Sequence, residues 1–204
     1  TPLSSLTLPL QVQMAWQIDR LSWQKQTEPL LTHVRGQYAY DGHQHTLTTD
    51  EFNMAQGRYT LQAQLQATAP MALNLQWQGQ VQVPGPSGKS GPGGPTLDLQ
   101  SSVQGSLSGA QAQLTLQAQL APTGTSPKPP PSSPKPAPGR ATEPMELTLQ
   151  AQIQPWQKQV LVQADIESQA LDLALLLPGA PQTRLTGQAH VVPEAQGWHL
   201  QTQW

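Results

Sequence analysis

The chain has 204 residues, a net charge of -2 and only 11% charged side chains, against about 25% in ordinary globular proteins. Its polarity comes from Gln, Thr and Ser, so it carries neither the electrostatic footprint of a nucleic-acid binder nor a basic helix for an anionic membrane surface. It has no Cys, which excludes disulfides, a thiol nucleophile and Cys-ligated zinc.

The chain opens on an alternating run. Leu6, Leu8, Leu10, Val12, Met14, Trp16 and Ile18 share one parity, with Gln11, Gln13 and Gln17 on the other. Strand side chains point to opposite faces in turn, so this period predicts a half-buried strand. Pro9 cannot donate a ladder hydrogen bond and points to an edge or a bulge. Leu21 and Trp23 switch parity, as one extra residue near Asp19-Arg20 would produce.

Leu30 to Tyr40 reads as a second strand, ending at the turn signal Asp41-Gly42. His43 to Met54 is more polar and reads as a weaker strand. Tyr59 to Ala67 alternates without a break: Tyr59, Leu61, Ala63, Leu65 and Ala67 against Thr60, Gln62, Gln64 and Gln66. Thr68-Ala69-Pro70 interrupts at a length normal for a hairpin. Met71, Leu73, Leu75 and Trp77 then resume the same parity, followed by Val81 and Val83.

Residues 84–95 are nearly all Gly, Pro and Ser and read as a flexible loop. Leu97, Leu99, Val103 and Leu107, the turn at Gly109, and Ala110 to Leu120 make a second hairpin. Residues 122–144 are a second Pro-rich insert, read as disordered or extended. Strands flank it, so it reads as a loop of one β-domain spanning 1–204. Leu147 to Ile153 and Val160 to Ile166 pair across Pro155-Trp156. Leu171 to Leu177 abandons period two and reads as one or two helical turns. Leu185 to Val191 and Trp198 to Thr202 complete the strands.

The motif T-L-Q-A-Q-L/I occurs at Thr60–Leu65, Thr115–Leu120 and Thr148–Ile153. Repeats of one short unit point to an array whose units pack mainly on their neighbours. No apolar run approaches the ~18–20 residues of a membrane-spanning helix. The chain begins at Thr1 and still alternates at Leu200 to Trp204, which leads us to expect an internal stretch of something longer.

Enzyme chemistry finds no support. Gly88-Lys89-Ser90 lacks the earlier glycine of a phosphate loop, since Val83 stands there, and no helix follows it. Ser132 and Lys135 match S-x-x-K inside a proline tract that could not hold a nucleophile rigidly. His43 and His45 have the spacing of one strand face, which admits a metal site; two exposed histidines in a polar strand are the commoner arrangement. The dispersed carboxylates show no acid–base pairing. We expect no cofactor, no metal and no catalytic residue.

Three features together resemble the AsmA-like proteins, and among them the translocation and assembly module TamB family. They are Leu8-Pro9-Leu10 near a strand start, the T-L-Q-A-Q-L strands, and the segment Asp172 to Val191 with Leu177-Pro178-Gly179-Ala180-Pro181 and Thr183-Arg184-Leu185-Thr186-Gly187-Gln188-Ala189. The two Pro-rich inserts stand outside the family pattern. The resemblance implies a periplasmic protein of a Gram-negative bacterium, anchored in the inner membrane outside this stretch. It implies a taco-like β-structure whose hydrophobic groove conveys phospholipid towards the outer membrane. It also implies help in outer-membrane protein assembly, through a barrel partner met by regions absent here.

The expectation is therefore a mostly β fold: an elongated, antiparallel, curved sheet with an apolar inner face. The groove wall would comprise Leu61, Leu65, Leu73, Leu75, Trp77 and Val81, then Leu114, Leu116, Leu149, Ile153, Val160, Val162 and Leu185. Its partners would be phospholipid acyl chains. Two other architectures share the alternation. In a closed β-sandwich of a surface or binding module, the oily faces meet each other. An outer-membrane β-barrel would also alternate, although 5% aromatic residues is thin for two girdles.

Overall fold

Why so many strands form is local: Gln, Thr, Leu and Ala alternate at period two, with Gly or Pro at the breaks. The computed structural model describes residues 2–22, 31–54, 57–82, 96–124, 145–176, 180–194 and 197–203. The strands are β1 (Val12–Leu21), β2 (Leu31–Tyr40), β3 (Gln44–Thr49), β4 (Phe52–Met54), β5 (Gly57–Gln66) and β6 (Ala72–Gln82). They continue as β7 (Thr96–Ser106), β8 (Gln113–Pro122), β9 (Glu146–Ile153), β10 (Leu161–Leu171), β11 (Leu185–Glu194) and β12 (Gly197–Gln203). A four-residue helix, α1 (Leu173–Leu176), precedes β11.

All twelve strands lie in one curved antiparallel sheet, in the order β1-β2-β3-β5-β6-β7-β8-β9-β10-β11-β12, with β4 between β2 and β5. β1 and β12 end the path and do not pair. The described strands therefore form one continuous sheet whose path is not closed by a β1–β12 pairing. The order is almost wholly sequential, as consecutive strands tend to pair, and it holds even across the long β6–β7 and β8–β9 connections.

Several expectations change. Leu6 to Leu10 is not strand: residues 2–11 cross one end of the sheet, and Pro9 sits at the bend into β1. Bridges at Leu3–Ser108 and Ser5–Thr68 hold this segment. So do bonds from the Leu6 N–H to the Ala67 carbonyl (2.7 Å) and from the Gly109 N–H to the Leu3 carbonyl (3.0 Å). β1 carries no extra residue: Ile18 faces Val34 and Arg20 still faces Thr32. The irregularity lies across from Asp19, where His33 adopts φ 57°.

The weak strand at 43–54 is real but split. From Thr48–Gln62 to Phe52–Tyr59, β3–β4 advances four residues while β5 advances three. This bulge at Asp50-Glu51 passes the apolar parity from Leu47 to Phe52. Pro122 belongs to β8, opposite Leu97, so the second insert starts later than expected. The helical turn expected over 171–177 is α1, while Leu171 closes β10. Residues 84–95, most of 122–144, Trp23, Leu30, Val83 and Leu177 lie outside the described residues.

The core gathers at the end of the sheet that carries the connections β3–β5, β6–β7, β8–β9 and β10–β11. Val34, Phe52 and Tyr59 form one buried cluster, with Trp16, Trp77, Val81 and Leu99 packed on it. Leu97, Met145 and Leu171 form another, with Leu120, Leu173 and Leu185. At the opposite end the crossing N-terminal segment covers the turns, and Ala67, Met71 and Ala112 are buried there.

Candidate apolar groove

Residues directly opposite in an antiparallel sheet share a face, so the registers define rows across the strands. One row takes one residue from each strand of the path. It runs Met14, Tyr38, Leu47, Ala63, Leu75 and Val103. It continues through Leu116, Ala151, Ala164, Val191 and Leu200. Every member is apolar or aromatic. The neighbouring row holds Leu61, Trp77, Ser101, Ala118, Leu149 and Ile166.

Two copies of the T-L-Q-A-Q motif build the middle of this face by pairing with each other. Gln117 faces Gln150, which sets Leu116 against Ala151 and Ala118 against Leu149. At these two positions large opposes small on the apolar side. β5 and β6 do the same with Ala63 against Leu75.

Along β5 and β6 the apolar side chains from Leu61 to Val81 are mostly half-buried, while the glutamines between them are exposed. A twisted sheet is saddle-shaped, so each face has a concave direction. The apolar face is partly sheltered by that curvature and by its own neighbours. Exposure rises at the two edges, to 49% at Met14 and 59% at Leu200.

Of the expected wall residues, Leu61, Leu65, Leu73, Leu75 and Trp77 stand together on β5 and β6. Leu114 and Leu116 on β8 face Ile153 and Ala151, and Leu149 follows on β9. Leu61, Trp77 and Val81 share that face and also pack on the Val34, Phe52 and Tyr59 cluster, and Leu185 packs on the Leu97, Met145 and Leu171 cluster. Val160 does not join the wall: it sits in the β9–β10 turn, 49% exposed, its carbonyl bonded to the Gln154 N–H. Leu161 faces Ile153 in its place, and Val162 is the extra residue of a bulge.

His45 corrects the expectation of two exposed histidines. It faces Tyr40 and Leu65 on the apolar side and is 7% exposed. One ring nitrogen meets the Tyr38 hydroxyl at 2.7 Å, and the other meets the Leu6 carbonyl at 2.6 Å. Its ring stacks on Tyr40. It pins the crossing segment over the apolar side of that end. Only that long-range contact gives His45 its role, so spacing along the strand carried no signal for it. His43 is exposed in the preceding turn. Among the described residues no three His, Cys, Asp or Glu are placed to hold a metal ion.

Inside the apolar face one polar atom stands out. The Trp77 indole N–H is buried without a hydrogen-bond partner among the described residues. Burial also pushes the Tyr59 phenol pKa up. No family model, no curated protein and no solved structure matches this chain.

Proposed function

We propose that the apolar face holds lipid acyl chains, and that this chain is a non-enzymatic segment of a periplasmic lipid-conveying β-groove of the AsmA and TamB kind. The observation that supports this is the apolar row from Met14 to Leu200, which has no second sheet over it among the described residues. Leaving such a face to water is costly, at about 25 cal/mol per Å².

The row crosses the whole path at about 4.8 Å per strand step, or roughly 48 Å. That exceeds the ~30 Å hydrocarbon thickness of a bilayer, which suits a track better than a pocket for one lipid. Each buried CH₂ contributes about 0.8 kcal/mol, and sliding along the row exchanges one apolar contact for another. Help in outer-membrane protein assembly, as the resemblance implies, would act through regions outside this chain. The competing reading is a binding module whose apolar face is covered by a second protein layer.

Photocrosslinking separates the two. A photoreactive residue replaces Leu75 or Leu116, with Gln76 or Gln117 as control, in the periplasm of a Gram-negative bacterium. Lipid adducts at the apolar positions alone support the groove. Protein adducts there, or no adducts with a cooperatively folded chain, overturn it.

A further inference from the structure

A recess lies on the other face. About 560 Å³ opens over β6 to β10, lined chiefly by Gln76, Gln78, Gln100, Gln117, Gln119 and Gln150. A second recess of about 240 Å³ over β5 to β7 shares Gln78 and Gln100 with it. A third of about 270 Å³ over β10 to β12 shares Asp165 and Glu167. Adjoining through these shared residues, the three recesses form a row, here called the trough, across the strands from β5 to β12, roughly 34 Å at about 4.8 Å per step.

The bonding inside the trough is selective. The charged groups have partners in the protein. Asp165 meets His190, Glu167 accepts from Gln188, Asp98 accepts from Gln80, and Arg58 pairs with Glu51. The side-chain amides of Gln76, Gln78, Gln100, Gln117 and Gln150 make no hydrogen bond to other described residues. The valences left open are thus neutral. Each amide offers a donor and an acceptor together, which is also what a sugar hydroxyl offers.

We propose that this trough binds a neutral, extended oligosaccharide laid across the strands, independently of what occupies the apolar face. An anionic polymer would need unpaired cations, and the trough supplies none among the described residues. An extended peptide would need pockets for alternate side chains, and amides and hydroxyls line this floor instead. A strand step is close to the length of one extended hexose unit, so successive sugars would meet successive glutamine pairs. The recess over β6 to β10 has no aromatic ring in its lining, so affinity there must accumulate over many weak bonds and grow with chain length.

The test is a titration of the full 204-residue chain, reading glutamine side-chain amide resonances by NMR. The probes are cellohexaose, cellobiose, a heparin hexasaccharide and an uncharged Gly-Ser peptide. We expect saturable shifts at Gln76, Gln100, Gln117 and Gln150 with cellohexaose, and at least tenfold weaker binding of cellobiose. Gln117→Ala/Gln150→Ala should weaken cellohexaose by about tenfold or more, as expected for two lost hydrogen bonds. Gln64→Ala, on the same face outside the trough, should not. Both glutamines of the double variant are exposed, so the fold survives the change. The proposal is overturned by no saturable shift with cellohexaose, by equal binding in the double variant, or by preference for heparin or the peptide.

Discussion

Gly79 stands opposite Tyr59 across β5 and β6, and the phenol ring lies over the glycine. A Cβ at Gly79 would collide with Cδ1 of the ring, lie 2.8 Å from Cε1 and 2.5 Å from the Arg58 carbonyl oxygen. The ring covers the gap that a glycine leaves in a strand and joins Phe52 and Trp77 in the packed end. Gly79→Ala should gain about 0.5–1 kcal/mol from backbone entropy and lose about 1–3 kcal/mol to overpacking. We expect net destabilisation, read as a lower urea midpoint at unchanged slope. Gly36, beneath Trp16, should behave alike.

Leu97 is 1% exposed and ties β7 to Met145 and Leu171. Leu97→Ala should cost about 2–5 kcal/mol. Leu10→Ala, at a residue 63% exposed, should stay within about 0.5 kcal/mol. Equal midpoints for the two variants would mean that this end is not packed as described.

The Asp41 carboxylate accepts the backbone N–H groups of His43 (2.8 Å) and Gln44 (2.7 Å) in the β2–β3 turn. The His43 N–H first, and the Gln44 N–H next, hold its pKa below the ordinary carboxylate value. A depressed native pKa means the folded state binds the proton less readily than the unfolded one. Its stabilising contribution is present at neutral pH and is lost as the pH falls below about 4. Asp41→Asn keeps an acceptor oxygen and cannot titrate, so the variant should lose that part of the acid limb. A pH–stability profile identical to wild type would contradict this.

Among the described residues β1 and β12 have a strand partner on one side only, and they carry exposed apolar residues: Met14 and Ile18 at one edge, Trp198 and Leu200 at the other. Such edges template further pairing. The chain should associate with rising concentration in sedimentation velocity. Ile18→Lys with Leu200→Lys should shift it towards monomer, with no loss of fold because both positions are exposed. Undiminished association in that variant would place the contact elsewhere.

The sequence by itself determined which side of each strand is oily. Alternation is a property of consecutive residues, and β5, β6, β8 and β9 kept the parity read from Leu61, Leu75, Leu116 and Leu149. Short turns with Gly or Pro also foretold that chain neighbours pair, because closing a short loop is cheap. Tertiary structure decided the rest. The same period ran through Leu6 to Leu10, yet those residues found backbone partners in distant turns and left the sheet. Bulges at Val162 and Asp50-Glu51 moved individual side chains off the expected parity, since register answers to the partner strand. His45 became a buried anchor through Leu6, far from it in sequence. The polar trough exists because twist brings glutamines of many strands around one concavity, and neither the twist nor the row is a property of any single stretch.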